Sequence, residues 1–182
     1  MSDSTTGLSI AVGSPGSVPE LQQPSGMTCW ATVATMMVSA RESTSYPIEA
    51  VMDQAGEEYR QKFDADQGLA GTEKDAFLGS LRLQAEPPQC YAVDGLASLI
   101  SSYGPVWVTT DEDPSEAFAV HARVIEAMEG DGTPDGTSLT IVDPGTGTRY
   151  QESFADCMRK LEEVAIGDMA GGGDFRIQVV HF

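Results

Sequence analysis

Apolar positions recur at helical spacing after residue 29. Ala31, Ala34, Met37 and Val38 share one face, so the sequence predicts a helix over about 29–41. Pro47 at a first helical position predicts a second helix running to about Phe63. Residues 64–71 read as loop, Thr72-Glu73-Lys74-Asp75 as the capped start of a short helix, and Asp94 as the cap of another that stops at Tyr103 before Gly104. The pattern then changes to short apolar runs at about 106–110, 119–128 and 138–143. The turn-rich stretch Glu129 to Gly136 separates the last two, which predicts a β-hairpin. Phe154, Met158 and Leu161 space a helix over about 151–166. Gly171-Gly172-Gly173 reads as a flexible break, and Phe175 to His181 as a last strand. Residues 1–18, rich in Ser, Gly and Thr, read as a loose arm with one short strand at Leu8 to Val12. Helices first and antiparallel strands second make an α+β layout. The expected domain is 19–182, with a helical lobe over about 19–104, a sheet lobe over about 105–182 and a cleft between them. No internal repeat is visible.

The candidate chemistry sits on both sides of that cleft. Cys29 opens the first helix, within Gln23-Pro24-Ser25-Gly26-Met27-Thr28-Cys29-Trp30-Ala31. A thiol at a helix N-terminus faces unpaired N–H groups and the positive end of the helix dipole, which favours the nucleophilic thiolate. A buried structural Cys is the competing reading for an isolated thiol. Across the expected hairpin, His121 and Asp143 are related by a midpoint at residue 132, inside the turn. A symmetric antiparallel pairing makes them directly opposed on one face, and a one-residue slip separates them. Asp143 can then accept from one imidazole nitrogen and leave the other for the thiol, giving nucleophile, base and orienter. A half-buried strand His and an Asx turn before Pro144 are the alternatives for these two residues. Trp30, Trp107 and Tyr103 are candidates for lining a substrate pocket, against a role in core packing.

These residues resemble the papain-like cysteine proteases, in their compact bacterial branch. Cys29-Trp30 matches the papain-type nucleophile step, while Met27 and Thr28 depart from its Gly and Ser/Ala. Gly104-Pro105-Val106-Trp107-Val108, then His121, then Val142-Asp143-Pro144 with Gly145 and Gly147, resembles two groups. One is the secreted papain-like effector proteases of bacterial pathogens. The other is the peptidases that trim bacteriocin leaders after double glycine. The resemblance covers about residues 20–155 and implies Cys29 as nucleophile, His121 as base and acid, Asp143 as orienter and Gln23 as oxyanion-hole donor. Papain itself carries Asn in the third role, so the Asp aligns this chain with the bacterial groups. The resemblance further implies a cysteine endopeptidase acting as an effector or toxin on a cytosolic protein, cutting after Gly or Gly-Gly. Its expected partners are a protein substrate and a cognate inhibitor or immunity protein. An amidase, deamidase or acyltransferase on the same scaffold is the second reading, and an idle binding module the third.

Composition narrows the partners. The chain has 182 residues, enough for one domain with a substantial core, and a formal net charge of −18. Between Asp111 and Gly136 eight acids (Asp111, Glu112, Asp113, Glu116, Glu126, Glu129, Asp131, Asp135) stand against Arg123 alone. They read either as a solvated acidic surface or as a preference for a basic substrate. Adaptation to high salt gives the same balance. No Lys/Arg cluster exists to replace counterions, so nucleic acid is not an expected partner. No apolar run reaches membrane-spanning length, and the N-terminus lacks the basic-then-apolar pattern of a signal peptide. The expectation is synthesis in a bacterial cytoplasm, with any delivery into a target cell independent of a signal peptide. Three distant Cys residues make no disulfide framework, and Cys90 and Cys157 are expected to stay reduced. No Cys/His spacing suggests zinc, so no metal or other cofactor is expected. His181 is expected to be structural or at the surface.

Overall fold

The computed structural model describes residues 9–111, 120–171 and 179–182. The first helix, α1 (Cys29–Glu42), is buried at every position from Trp30 to Ser39. It is therefore a central helix enclosed on all sides rather than a one-faced one. Helices α2 (Ile48–Ala55) and α3 (Glu57–Asp64) replace the single helix expected over 47–63. Gly56 breaks it with φ 139° and ψ 156°, a conformation that needs no Cβ. Pro47 precedes α2 as its cap instead of opening it. Helix α4 (Gly71–Ser80) begins one residue before Thr72, and Glu73 accepts the Ala70 N–H at 3.0 Å, closing the first turn. After β2 (Gln84–Ala85), α5 (Val93–Tyr103) places Asp94 in its first turn, favourable to the helix dipole but not at the cap itself.

The remaining elements are mainly sheet: β1 (Ile10–Gly13), β3 (Val106–Asp111), β4 (Val120–Gly130), β5 (Thr137–Asp143), β6 (Thr148–Ser153) and β7 (Val180–His181), with α6 (Phe154–Gly171) between the last two. The strand order is β2-β7-β3-β4-β5-β6, and all pairings among the described residues are antiparallel. β4 is flanked along most of its length, by β3 at its start and β1 at its end on one side and by β5 on the other. β1 falls on the short strand expected at Leu8 to Val12, and it pairs with β4; Val18 beyond it, in the stretch expected to be a loose arm, is buried. Residues 10–18 therefore belong to the folded unit. β6 is a correction as well, because it takes up residues 151–153, the expected start of the last helix. Its sequence, Thr-Arg-Tyr-Gln-Glu-Ser, is an edge strand without an apolar alternation. Leu8, Ala119, Gly172-Gly173 and residues 175–178, where parts of expected elements fall, lie outside the described residues.

Two cores cover the two faces of the sheet. One joins α1, α2 and α4 to Trp107, Ala122, Val124 and Val142. The other joins α5 and α6 to Val108, Ile125, Leu139 and Ile141. The fold is α+β, with an N-terminal helical region and a C-terminal antiparallel sheet. Within the helical region, α5 packs on the opposite face of the sheet from α1. Among the described residues no helix is long and apolar enough to cross a membrane.

Candidate active site

Cys29 is the first residue of α1 and is half-buried. The loop before it is held from several directions. Thr28 Oγ1 donates to the Ser25 carbonyl at 3.0 Å, and the Met27 N–H donates to Asp66 Oδ1 at 2.9 Å. Trp30 Nε1 donates to the Gln67 carbonyl at 3.0 Å. The Gln23 N–H donates to the Pro144 carbonyl at 2.8 Å, which joins this loop to the end of β5.

On the sheet, His121 Nε2 and Asp143 Oδ1 are 2.6 Å apart. They meet in a different way from the direct opposition expected. Near the site Val124 pairs with Val142 and Ile125 with Ile141, and continuing that register sets Asp143 opposite Arg123. Asp143 thus reaches His121 along a diagonal, within the span of neighbouring same-face positions. Farther along, Ala127 pairs with Thr140 and Met128 with Leu139, a register different by one. The bulge lies between Ile125 and Ala127, at Glu126. If the register beyond the bulge ran on unchanged, Asp143 would stand opposite Val124 and face away from His121, because side-chain direction alternates along a strand.

Asp143 Oδ1 also accepts the Gly145 N–H at 2.7 Å. A Cβ on Gly145 would come within 3.1 Å of that oxygen and 3.4 Å of His121 Nε2, so glycine keeps the turn close to the pair. Burial pulls the His121 pKa down, but the hydrogen bonds to Asp143 and Cys29 outweigh it and hold His121 at about 9. Burial pushes Asp143 up, while the bonds from His121 and Gly145, with the charges of His121 and Arg123, bring it below the usual carboxylate value. The two directions agree on an imidazolium–carboxylate pair at neutral pH. With Nε2 committed to Asp143, Nδ1 is the nitrogen left for the sulfur.

Arg123 lies two residues beyond His121 and is 1% exposed. Thr110 Oγ1 accepts from its Nε and Nη2 at 3.1 and 2.7 Å, and Tyr150 and Glu152 meet Nη1. In the sequence Arg123 stands out only as the single base in an acidic stretch; an Arg among apolar strand residues is the signal that could have marked it. The acidic stretch is itself divided. Glu126 is fully buried against Arg149. Glu129, Asp131 and Asp135 lie at the far end of the hairpin, about 25 Å of strand from His121. Glu112, Asp113 and Glu116 lie outside the described residues.

Gln23 is near the site, yet its amide is turned into its own loop. Nε2 donates to the carbonyls of Ser25 at 2.8 Å and Gly26 at 3.2 Å, and Oε1 is buried without a partner among the described residues. Trp30 and Trp107 both line a cavity of about 180 Å³ beside Cys29, together with Met27, Leu69, Lys74 and Ala122. Tyr103 does not line it and instead stacks on buried His181 with ring centroids 3.8 Å apart. His181 in turn binds Glu86 at 2.9 Å, a structural role. Lys74 belongs, by sequence, only to a helix start, and nothing in its local sequence marks it as a cavity residue. No group of His, Cys, Asp and Glu suited to a metal ion occurs among the described residues.

A thiol, an imidazolium in contact with it and a carboxylate behind the imidazolium can perform acyl transfer at a carbonyl. The family model described as papain-like cysteine protease AvrRpt2 matches residues 14–162. No curated protein matches the chain.

Proposed function

We infer that this chain, which belongs to the papain-like cysteine protease AvrRpt2 family, cuts protein substrates internally by means of Cys29, His121 and Asp143. The observation that carries this reading is the 2.6 Å contact from Asp143 to an imidazole that also bonds Cys29 at the N-terminus of α1. Cys29 Sγ attacks the scissile carbonyl carbon, and the carbonyl electrons move to oxygen. The developing oxyanion lies toward the α1 N-terminus, where backbone N–H groups are unpaired. His121 gives its proton to the leaving amine, and the acyl-enzyme remains. Water, deprotonated by His121, then attacks the acyl carbon and frees Cys29. Asp143 keeps the ring oriented through both steps. Gln23 joins as a second oxyanion donor when its more exposed bond, to the Gly26 carbonyl, is released.

The resemblance of the Cys29, His121 and Asp143 segments to effector proteases and double-glycine peptidases supports the finer reading. In it, one folded catalytic unit acts on a cytosolic protein of a target cell, cutting after Gly or Gly-Gly. A cognate inhibitor that covers the Cys29–His121 cleft fits the same reading. The test compares new protein N-termini in cells expressing the wild type and Cys29→Ala. New termini preceded by Gly, found only with the wild type, are expected. Identical N-termini in both would overturn the peptidase, and bulky residues before the cut would overturn the glycine preference.

A further inference from the structure

Consecutive residues of the α3–α4 connection hold the chain on both sides of Cys29. Asp66 Oδ1 accepts the Met27 N–H at 2.9 Å, just before the nucleophile, and the Gln67 carbonyl accepts Trp30 Nε1 at 3.0 Å, just after it. Asp66 itself stands where glycine is the usual residue. Its φ is 50°, in the left-handed region, and α3 ends on it with the bonds that normally close a helix at a glycine. The Asp66 N–H donates to the Phe63 carbonyl at 3.1 Å, and the Gln67 N–H to the Lys62 carbonyl at 2.9 Å. Aspartate adopts that conformation less readily than glycine, and its charge sits at the negative end of the helix dipole. The end of α3 therefore disfavours a carboxylate, and the bond to Met27 is what offsets that cost. The N-terminus of α1 is correspondingly bare. Thr28 occupies its cap position, yet Thr28 Oγ1 donates to the Ser25 carbonyl at 3.0 Å and makes no capping bond. No acid stands in the first turn of α1 either.

We propose that Asp66 is a positioning residue for the oxyanion: by holding the Met27 N–H it fixes the Met27–Thr28 backbone, so that the first N–H groups of α1 stay without a side-chain cap and serve the reacting carbonyl. The inference rests on the peptidase reading above. Thr28 has φ −102° and ψ 15°, a sparsely populated conformation that the loop has to hold. Once the Met27 N–H is released, the segment relaxes and the Thr28 hydroxyl can turn to those N–H groups as an ordinary cap, in competition with the oxyanion. The loss falls on the transition state, and so on kcat rather than KM.

The test measures kcat, KM and Tm for the wild type, Asp66→Gly and Asp66→Asn, on the fluorogenic peptide that the wild type cuts best from a library. Asp66→Gly is expected to lower kcat about tenfold and leave KM within about twofold. Its Tm should hold or rise, because glycine suits the end of α3. Asp66→Asn should keep kcat, since its amide oxygen still accepts and asparagine tolerates the left-handed conformation. Exchanging the Met27 amide for an ester, with the α-hydroxy analogue of methionine, deletes the same N–H from the other side and does not depend on Asp66→Gly folding. It should reproduce the fall in kcat, with no further loss when combined with Asp66→Gly. A kcat within about twofold of wild type in either variant overturns the proposal. So does a fall in Asp66→Asn as large as in Asp66→Gly, which would assign the effect to charge. A rise in KM with kcat preserved, or lost activity that tracks partial unfolding at the assay temperature, overturns it as well. All of these leave the peptidase standing. No hydrolysis of any library peptide by the wild type, with Cys29 also unlabelled by peptidyl vinyl sulfones, removes both readings.

Discussion

The fully buried carboxylate of Glu126 and the half-buried guanidinium of Arg149 form an ion pair at the bulge, whose register shift sets His121 and Asp143 on one face of the hairpin. The Glu126 carboxylate also accepts the N–H groups of Gly16 at 3.0 Å and Val18 at 3.1 Å. Arg149 reaches on to the Val18 carbonyl at 3.0 Å and to Glu20 at 3.2 Å. One acid inside an apolar strand therefore ties together the N-terminal segment, the bulged strand and the edge strand β6. Each of its oxygens has a partner, which is the condition under which a buried charge is tolerated.

Glu126→Ala should accordingly be among the more damaging single changes. It leaves Arg149 facing an empty site and two backbone N–H groups without acceptors. The expected loss is about 2–4 kcal/mol, mainly from the Gly16 and Val18 N–H groups left without their acceptor, since Arg149 is partly exposed and keeps Glu20. Urea unfolding of the wild type and variant measures it directly. A loss below about 1 kcal/mol would show that the bulge is held by something else.

Alkylation separates reactivity from exposure. Cys90 is exposed, Cys29 half-buried and Cys157 buried. Access alone would put Cys90 first. Cys29 stands at the N-terminus of α1 with its sulfur in hydrogen-bond contact with His121, a base positioned to activate it. Iodoacetamide at neutral pH is expected to modify Cys29 before Cys90, with Cys157 last. In His121→Ala the order of the first two should approach that of exposure. Peptide mapping after a timed quench gives the three rates, and Cys90 leading in the wild type would count against an activated nucleophile.

The His121–Asp143 pair sets a pH window. Because His121 is raised in the folded state to about 9, its stabilising share is complete below its ordinary value near 6.5. That share is lost as the pH rises through about 9. Asp143 is lowered, so its share is present above the ordinary carboxylate range and disappears as the pH falls through its lower folded value. The basic limb of kcat/KM is expected near pH 9. In Asp143→Asn it should move toward neutral, because hydrogen bonding and charge from Asp143 supply much of the upward shift. A limb in the same place in both enzymes would show that Asp143 does not govern His121.

Cys29, His121 and Asp143 are legible in the sequence because each carries a local signal: a helix start, and two strands around a turn rich in Gly and Asp. Their contact is legible only in outline. The two-residue offset depends on the bulge, and an acid in an apolar run does not announce that it will be buried. The same difficulty hides Arg123 and Lys74, since the burial of a charged side chain is decided by elements distant in sequence. β6 escapes sequence reasoning because an edge strand needs no apolar alternation. The break at Gly56 escapes it because helical spacing continues through the glycine. Glu129, Asp131 and Asp135 look like part of a surface around the active site because sequence proximity to His121 hides the length of an extended strand.

Gln23 gives the sharpest test of the oxyanion reading. Both N–H groups of its amide are engaged by the carbonyls of Ser25 and Gly26, and exchanging its oxygen and nitrogen would set an oxygen against those two acceptors. Donation to an oxyanion must therefore displace one bond, and the Gly26 bond is the longer and more exposed. If that exchange occurs, Gln23→Ala should lower kcat by about 10²–10³ and change KM little, since the bond would be made in the transition state and not before it. Gln22→Ala serves as the comparison, because among the described residues its amide donates only to the Gly145 carbonyl, at 3.5 Å. Should Gln23→Ala instead raise KM with kcat preserved, its amide would be a brace for the Ser25–Gly26 loop. The α1 N-terminus would then be left to hold the oxyanion by its backbone alone.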